Sequence, residues 1–275
     1  MKRFVRIVIG CFAIAILAMI AATTLAPGPR GDPEYRPSIA KPAYLPNKGP
    51  AACIDHGHYN THRANGTYLP FKRLLEVDGY RVALLRGEFT AESLGFCDLV
   101  VVANARGAGK PRLLGVDLPF PASGKPEDPA FTPAEIATVS NWVKGGGSLL
   151  LAAGDHPFGA ASMGLAQAFG VSMLGGAADT PQSPQPGTHT ILNGVTRVAT
   201  FTGQSLAGPG TPLLPRPDGR NQALALEFGK GRLVIIADPD ALTAQRENGR
   251  RWGFAANNDN ATLARNIARW LSRKL

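Results

Sequence analysis

Two stretches of this chain decide its fold: AACIDHGHYNTH, Ala51 to His62, and SLLLAAGDHPFG, Ser148 to Gly159. In each of them a short apolar run passes directly into a group of polar residues. Apolar runs of this length are typical of buried strands in a mostly parallel sheet. Ligands of such sheets bind outside the carboxyl ends of the strands, so the polar groups predict a site at that edge. Three further stretches share the pattern: CDLVVVANARG (Cys97 to Gly107), RVATFTGQS (Arg197 to Ser205) and RLVIIADPD (Arg232 to Asp240).

Between these runs, the spacing of apolar residues predicts helices. The strongest helix start is TPAE, in which Thr132 would be the N-cap, Pro133 the first helical residue and Glu135 the capping-box partner. The predicted helices are Leu69 to Val77, Thr90 to Gly95, a helix that begins at Thr132, Ala160 to Phe169 and Asn260 to Leu275.

The sheet is predicted to close with a hairpin. Gln222 to Phe228 and Arg232 to Ala237 have the pattern of two strands, and Gly229-Lys230-Gly231 between them is a turn signal. Strands and helices alternate before this hairpin, which predicts an α/β fold. The expected architecture is a three-layer, doubly wound, flavodoxin-like domain whose sheet is mostly parallel, with an antiparallel hairpin at its edge.

The first 25 residues predict an export segment. Lys2, Arg3 and Arg6 precede an apolar run from Ile7 to Ala22, which is the pattern of a signal peptide or of a signal anchor with a transmembrane helix. As an anchor, this segment would bind the chain to a membrane. The positive-inside rule would then place the domain outside the cytoplasm, in a bacterial periplasm or at the cell surface. Cleavage of the segment would give a secreted protein instead.

The remaining residues predict a tether and one domain. Residues 26–50 are rich in proline, glycine and charge, a composition that suits an extended tether. Residues 51–275 are enough for one large domain.

The net charge of +9 points to no particular partner. Three positive charges lie in the basic start, and the others are scattered without a long basic run or interleaved aromatic residues. The sequence also contains no nucleic-acid-binding motif, so no nucleic-acid partner is expected. Net charge alone leaves open an anionic membrane surface or an anionic substrate.

The cysteines leave two interpretations open. Cys11 belongs to the predicted anchor, Cys53 lies in the first strand of the domain, and Cys97 begins the third strand. The first and third strands are neighbours in a flavodoxin-like order, so a disulfide could form in an oxidising compartment. Two buried free thiols are the favoured alternative, because the geometry of a disulfide is restrictive.

Five segments together resemble an uncharacterised family, a domain of unknown function with a class I glutamine-amidotransferase-like fold. They are IDHGHYN, GYRV, FTPAEIATVSNWVKGGGSLLLAAGDHPFG, GKGRLVIIADPDALTAQ and DNATLARNIARWL, which cover nearly the whole domain from Ala51 onward. The resemblance implies the fold and does not name an activity.

The catalytic cysteine of glutamine amidotransferases has no counterpart in this chain. Those enzymes place it on a sharp turn between a strand and a helix, and the corresponding turn here is Gly154-Asp155-His156-Pro157. Cys97 lies at the wrong end of its strand. Because that chemistry needs a thiolate, we expect no glutaminase activity. The G-x-S-x-G elbow of hydrolases is also missing from the sequence.

The polar residues at the strand ends are expected to bind a ligand or a partner without catalysing a reaction. Their side chains could hydrogen-bond a carbohydrate or a protein of the cell envelope. The same residue types also form turns and helix caps, which is the structural alternative for Asp155 and Asp238. The predicted ligand-binding residues are Asp55, His56, His58, Asn60, Asn104, Arg106, Gln204, Ser205 and Asp238.

A metal-assisted hydrolase or lyase is the alternative function. Four of the five histidines lie in the two stretches that decide the fold. Imidazole and carboxylate are ligands of zinc and similar divalent transition metals. The predicted metal ligands are His58, His62 and His156, and the predicted catalytic residues are Asp155 and His156. Their spacing matches no named zinc motif, so the binding function stays first.

Overall fold

The structure is a computed structural model of the chain. It describes residues 29–110, 112–113, 116–117, 120–174, 186–201, 204–247, 250–255 and 257–275. The predicted export segment, residues 1–25, and the first residues of the predicted tether lie outside these ranges.

The described residues form short strands and a few helices. The strands are β1 (Arg30–Gly31), β2 (Ala51–Asp55), β3 (Arg81–Leu85), β4 (Leu99–Ala103), β5 (Arg112–Leu113), β6 (Val116–Asp117), β7 (Ser148–Ala152), β8 (Ser172–Leu174), β9 (Ser205–Ala207), β10 (Thr211–Pro212), β11 (Ala223–Phe228), β12 (Gly231–Ile236), β13 (Ala244–Glu247) and β14 (Arg250–Gly253). The α-helices are α1 (Leu69–Val77), α2 (Ala91–Gly95), α3 (Pro133–Gly145), α4 (Phe158–Gln167) and α5 (Asn260–Leu271). Single 3₁₀ turns cover Thr190–Leu192 and Pro239–Leu242.

A seven-stranded sheet with the order β10-β11-β12-β7-β4-β2-β3 forms the centre of the fold. The strands from β12 to β3 are parallel, and β11 and β10 are antiparallel to their neighbours. The prediction of an α/β fold with a mostly parallel sheet is therefore confirmed. Smaller antiparallel sheets pair β13 with β1 and β14, β5 with β6, and β8 with β9.

Both faces of the sheet are buried, which explains the continuous apolar runs in the sequence. Successive side chains of a strand point to opposite faces. Ile54 accordingly packs in the core with α1 and α5, whereas its neighbour Cys53 packs in the second core with α2, α3 and α4. The strands β2, β4 and β7 are buried at every position.

The predicted capping box begins α3 as expected. The Glu135 N–H donates to Thr132 Oγ1 at 3.3 Å, and the Thr132 N–H donates to Glu135 Oε2 at 2.9 Å. Pro133 is the first helical residue. This helix start fixes the position of Glu135, which becomes important at the site.

The predicted strand Arg197 to Phe201 does not form. Three of its backbone N–H groups, those of Arg197, Ala199 and Phe201, donate to side chains instead of to a neighbouring strand. The Arg197 N–H donates to Asp259 Oδ2 at 2.9 Å, and the Ala199 N–H donates to Asn260 Oδ1 at 2.9 Å. A strand is only one of several ways to satisfy backbone donors, and its pattern of residues does not distinguish them.

A disulfide joins Cys53 and Cys97, so the favoured prediction of two free thiols was wrong. The bridge forms because β2 and β4 are neighbours in the sheet, with the two Cα atoms 5.8 Å apart. This separation lies within the usual range for a disulfide.

The segment predicted as a tether has its own contacts from residue 29 onward. Arg30 and Gly31 pair with β13, and the Asp32 N–H donates to the Ala244 carbonyl at 2.9 Å. Tyr35 and Tyr44 pack against the core that contains α1 and α5. In the part of the chain that the structure describes, no helix has both the length and the apolar character needed to cross a membrane.

Candidate functional site

The carboxyl ends of β2, β4, β7 and β12 lie at one edge of the sheet, because these strands are parallel neighbours. We call this the carboxyl edge. Asp55 ends β2, Asn104 follows β4, Asp155 lies three residues beyond β7, and Asp238 lies two residues beyond β12. The fold therefore brings the predicted polar groups to one edge, as expected from the sequence.

A buried carboxylate lies at the end of β2. Asp55 has no solvent exposure, and its Oδ1 accepts the Gly57 N–H at 2.8 Å. Its Oδ2 accepts the Asn60 side-chain N–H at 2.6 Å and lies 2.9 Å from His58 Nδ1. The Asn60 Oδ1 in turn accepts the Ala103 N–H at 3.0 Å. The carboxylate of Asp55 thus organises the loop after β2 and is not directed toward solvent.

The second ring nitrogen of His58 contacts Glu135. The Nε2–Oε1 distance is 2.8 Å, and the same carboxylate oxygen accepts the Phe89 N–H at 3.0 Å. The rings of Phe89 and Phe131 lie 4.4 and 4.7 Å from the imidazole. We call Asp55, His58 and Glu135 the buried triad. Sequence reasoning missed Glu135, because its role as a helix cap explained its presence without a second partner.

The two contacts define the protonation state of His58. A carboxylate only accepts hydrogen bonds, whereas a neutral imidazole has one donor and one acceptor nitrogen. Both nitrogens of His58 face carboxyl groups, an arrangement that favours the imidazolium form, in which both nitrogens donate. Burial opposes this charge and would lower the pKa of His58, but the hydrogen bonds and charges of Asp55 and Glu135 outweigh it and raise that pKa.

The pKa of Glu135 is shifted in the opposite direction. Burial raises the pKa of this carboxyl, but hydrogen bonds from Thr132, His58 and Phe89 together outweigh it, and the pKa is lowered. Both shifts favour an ion pair between the His58 imidazolium and the Glu135 carboxylate.

The raised pKa of His58 predicts a loss of stability at alkaline pH. The folded chain holds the His58 proton more tightly than the unfolded chain, whose histidine pKa is about 6.5. The stabilisation is fully present below this pH and disappears as pH rises through the folded pKa of His58. We expect the free energy of unfolding to fall across this window in urea titrations at a series of pH values.

His62 is also buried and could contribute to the same pH dependence, but it affects stability in a different pH range. Burial lowers the pKa of His62, although Asp240 opposes the shift, so this residue affects stability only below the unfolded histidine pKa. The variant His58→Gln should lose the alkaline dependence. A wild-type stability that stays constant above about pH 6.5 would contradict the imidazolium assignment.

The predicted metal ligands do not share partners. His58 uses both nitrogens in the buried triad, and His62 contacts Thr67 Oγ1 at 2.8 Å and Asp240 Oδ1 at 3.4 Å. His156 is exposed. Within the described ranges no group of three or more histidine, cysteine or acidic side chains could hold a metal ion. The predicted set of His58, His62 and His156 is thus not assembled, because two of the three rings are committed to internal contacts.

Tyr59 and Asn104 connect the loops at the carboxyl edge through unusual backbone conformations. Their φ values are +47° and +55°, in the left-handed region that L-residues rarely adopt. The Asn104 carbonyl accepts the Thr61 N–H at 3.1 Å, and its side-chain Oδ1 accepts the Gly154 N–H at 2.8 Å. Three loops, those after β2, β4 and β7, are thereby fixed to one another.

Arg106 and Tyr59 form the accessible part of this junction. The Arg106 N–H donates to the His58 carbonyl at 3.0 Å, and its Nε donates to the Tyr59 carbonyl at 3.2 Å. Tyr59 is 37% exposed, and its ring rests on Gly109, where an added Cβ would lie 2.4 Å from it. Sequence reasoning missed Tyr59, although an aromatic residue within a polar group is a signal that could have found it.

The start of α4 brings further predicted residues to the same edge. Gln204 is buried, and a Cβ on Gly159 would lie 1.9 Å from its Nε2, so its amide covers the first turn of α4. Among the described residues, its Oε1 has no hydrogen-bond partner. Asp155 is half-buried and His156 exposed. The helix begins at Phe158 after Pro157 as N-cap, so Asp155 is not its cap.

The remaining predicted residues have structural partners. The Asp238 Oδ1 accepts the Ala241 N–H at 3.2 Å and so caps the 3₁₀ turn, as one interpretation of the sequence expected. The Ser205 Oγ donates to the Leu174 carbonyl at 3.4 Å between β9 and β8. The His56 Nε2 accepts the Ala64 N–H at 3.1 Å.

Comparisons with known proteins support the fold and no activity. No protein-family model matches the chain, and no curated protein matches it. The mmIFT52 N-terminal domain is similar in structure, with a TM-score of 0.60 and 16% identity over 80% of this chain and 97% of that one. Cytoplasmic Protein STM1381 from Salmonella typhimurium LT2 has a TM-score of 0.50 and 14% identity over 80% of this chain and 98% of that one. A putative GMP synthase protein from Thermoplasma acidophilum has a TM-score of 0.46 and 9% identity over 79% and 92% of the two chains.

These findings correct the prediction of a membrane-anchored protein outside the cytoplasm. The structure has no membrane-spanning helix in its described residues, and the predicted span lies outside them. The similar Salmonella typhimurium protein is named as cytoplasmic. The signal anchor and the extracytoplasmic location are therefore withdrawn.

Proposed function

We propose that this chain is a non-catalytic binding domain whose ligand contacts the carboxyl edge of the sheet. The observation that carries this proposal is the state of the buried triad. Its carboxylates and imidazole are the groups best suited to acid–base catalysis, but both nitrogens of His58 are occupied by Asp55 and Glu135. A general base needs a nitrogen or oxygen within reach of a substrate proton.

The accessible groups at this edge are suited to contact. Tyr59 offers an exposed ring, and Arg106, Asp155 and His156 offer polar groups that are half-buried or exposed. An aromatic face beside planar polar groups suits a hydroxyl-rich ligand, because the ring packs on the apolar face of a sugar while the polar groups bind its hydroxyls. We therefore propose a carbohydrate as the ligand class.

The backbone at this edge supports a preformed surface. Tyr59 and Asn104 both have positive φ values, which cost energy and persist only where surrounding contacts hold them. Such strain is concentrated at functional sites. The hydrogen bonds from Thr61, Gly154 and Arg106 supply those contacts here. A rigid surface loses little conformational entropy on binding.

A finer classification of the fold belongs to the same proposal. We propose a three-layer, flavodoxin-like domain related to class I glutamine amidotransferases that has lost their cysteine, with residues 51–275 as the domain and 26–50 as a preceding arm. The strand order β3-β2-β4-β7-β12 and the cores on both faces of the sheet support it. Metal-assisted hydrolysis receives no comparable support, because His58 and His62 are already bound to other side chains.

The proposal predicts binding without turnover. Soluble oligosaccharides would be tested against the full chain by saturation-transfer NMR, and glutamine and simple esters would be tested for hydrolysis. We expect saturable binding of at least one oligosaccharide, weakened about tenfold or more in Tyr59→Ala, as for loss of an interface aromatic. Phe96→Ala is the matched control, because Phe96 is exposed but precedes the amino end of β4.

Two results would contradict this function. One is hydrolysis of any tested substrate that is lost in Asp155→Asn or His156→Ala, which would make the chain an enzyme. The other is the absence of oligosaccharide binding by the wild-type chain, or equal weakening in the Tyr59 and Phe96 variants.

A further inference from the structure

The opposite edge of the sheet contains a cleft with a different chemical character. It lies at the amino ends of the parallel strands and has a volume of about 610 Å³. Its lining includes Asp98, which directly precedes β4, and Ser148, which begins β7. We call it the basic cleft. This volume is typical of pockets for small molecules. None of the residues proposed to bind a carbohydrate lines it.

Three cations from three separate elements line the basic cleft. Lys48 precedes β2, Arg81 begins β3, and Arg273 follows α5, and all three are exposed. Lys48, Arg81 and Arg273 are far apart in sequence, which is why no basic run was visible there. The fold thus gathers part of the scattered positive charge of the chain at one place.

More positive charge surrounds this cleft. The Lys274 Nζ lies 5.2 Å from the ring of Tyr44, which lines the cleft. A side-chain nitrogen of Arg273 donates to the carbonyl of Lys230, and the Lys230 N–H donates to the carbonyl of Lys144 at 2.9 Å. Lys144, Lys230 and Lys274 are all exposed.

Asp98 is the only carboxylate among the described residues that line the cleft. Its Oδ2 accepts the Ala51 N–H at 2.7 Å and lies 3.9 Å from the Arg81 guanidinium. Arg81 is held in place by a hydrogen bond from its Nε to the Gly49 carbonyl at 3.1 Å. One carboxylate cannot neutralise three lining cations, so the cleft has a positive potential that favours anions.

The walls offer apolar surface beside these charges. Trp142 lines the cleft and packs on Gly147, where a Cβ would lie 2.3 Å from the indole. Tyr44 forms part of the same lining and donates to Ser272 Oγ at 3.2 Å. A cleft with fixed aromatic walls and several cations suits a compact organic or inorganic anion more than an extended polymer.

We infer that the basic cleft binds a small anion with two or more phosphate groups. Arginine and lysine are the side chains that bind phosphate oxygens, arginine through its planar fork and lysine as a point charge. Lys48, Arg81 and Arg273 would each contact a different phosphate oxygen. A nucleoside diphosphate and inorganic pyrophosphate share this chemistry.

Calorimetric titration of the full chain with inorganic pyrophosphate at low salt tests this inference. We expect saturable binding to one site that weakens as salt is added, since ions screen exposed charges. Arg81→Gln and Arg273→Gln should each raise the Kd about fivefold. This factor corresponds to the loss of the attraction between two unit charges about 4 Å apart in water. A parallel titration with ADP distinguishes the two sources. If the ligand is a nucleotide, ADP should bind more tightly than pyrophosphate because its base adds contacts. If the ligand is pyrophosphate, ADP should bind no more tightly.

Two matched variants separate a site from general attraction. Arg86→Gln removes the same charge just beyond the other end of β3, so it should leave the Kd unchanged. Asp98→Asn keeps an acceptor for the Ala51 N–H but removes the negative charge, so it should lower the Kd. No saturable binding of pyrophosphate, or an equal effect of the Arg81 and Arg86 variants, would overturn the inference.

Discussion

Replacement of His58 by alanine is expected to lower the free energy of unfolding by about 3–5 kcal/mol, the usual cost of removing one partner from a buried ion pair. The substitution leaves the carboxylates of Asp55 and Glu135 buried without the cation between them. It also removes the imidazole that packs against the rings of Phe89 and Phe131. Urea denaturation of the full chain, followed by circular dichroism, would measure the change.

The exposed histidine at the same edge provides the control. His156→Ala removes an imidazole from the surface, where substitutions usually change stability by less than about 0.5 kcal/mol. If the chain without the His58 side chain were as stable as the wild type, the buried triad would not be the structural unit described above. A variant too unstable to purify can be replaced by His58→Gln, which should show a smaller loss in the same direction.

Loss of the disulfide is expected to cost about 2–4 kcal/mol. Cys53 and Cys97 are separated by 44 residues, so the bridge closes a long loop in the unfolded chain. In the chain-entropy account, a loop of this length corresponds to about 4 kcal/mol, and measured values are often lower. The free energy of unfolding would be measured by urea denaturation for the oxidised and for the reduced wild-type chain.

The double variant C53A/C97A separates the disulfide from other effects of the reductant. It should have the lower stability of the reduced chain and should not respond to reductant. Equal stability of the oxidised and reduced wild-type chains would contradict the contribution of the bridge.

The parts of the fold that the sequence predicted are those determined by local pattern. The buried runs of β2 and β7 are apolar at nearly every position because both faces of the sheet are covered. The capping box at Thr132 is specified within four residues and formed as expected. The strand predicted from Arg197 to Phe201 does not form, because backbone N–H groups of this segment donate to the side chains of Asp259 and Asn260, which are distant in sequence.

The site was predicted in location but not in organisation. Polar groups after parallel strands had to meet at one edge, so Asp55 and Asn104 were expected there. The partnership of His58 with Glu135 joins residues 77 positions apart, and no local pattern encodes it. The histidines of the two fold-determining stretches suggested metal binding, because their spacing in the sequence does not reveal that the rings of His58 and His62 are buried in internal contacts.

The scattered charges show the same limitation. Lys48, Arg81 and Arg273 lie in three distant segments, and only the closure of the sheet and the packing of α5 bring them to one cleft. The sequence contains no basic run because the residues of the patch are not neighbours along the chain. Charge that is dispersed in sequence therefore does not exclude a concentrated anion site in the fold.

Nitrogen-15 NMR of the His58 ring in the full chain is the most direct test of the buried triad, on which the proposed non-catalytic function depends. The signal would be assigned by its absence in His58→Gln and recorded near pH 7.5, about one unit above the ordinary histidine pKa. We predict that the ring holds its second proton in a larger fraction of molecules at this pH than an ordinary histidine does, and that added zinc leaves the ring signals unchanged. A neutral ring with one unprotonated nitrogen, or a shift on addition of zinc, would contradict the assignment and return His58 to the possible metal ligands and bases.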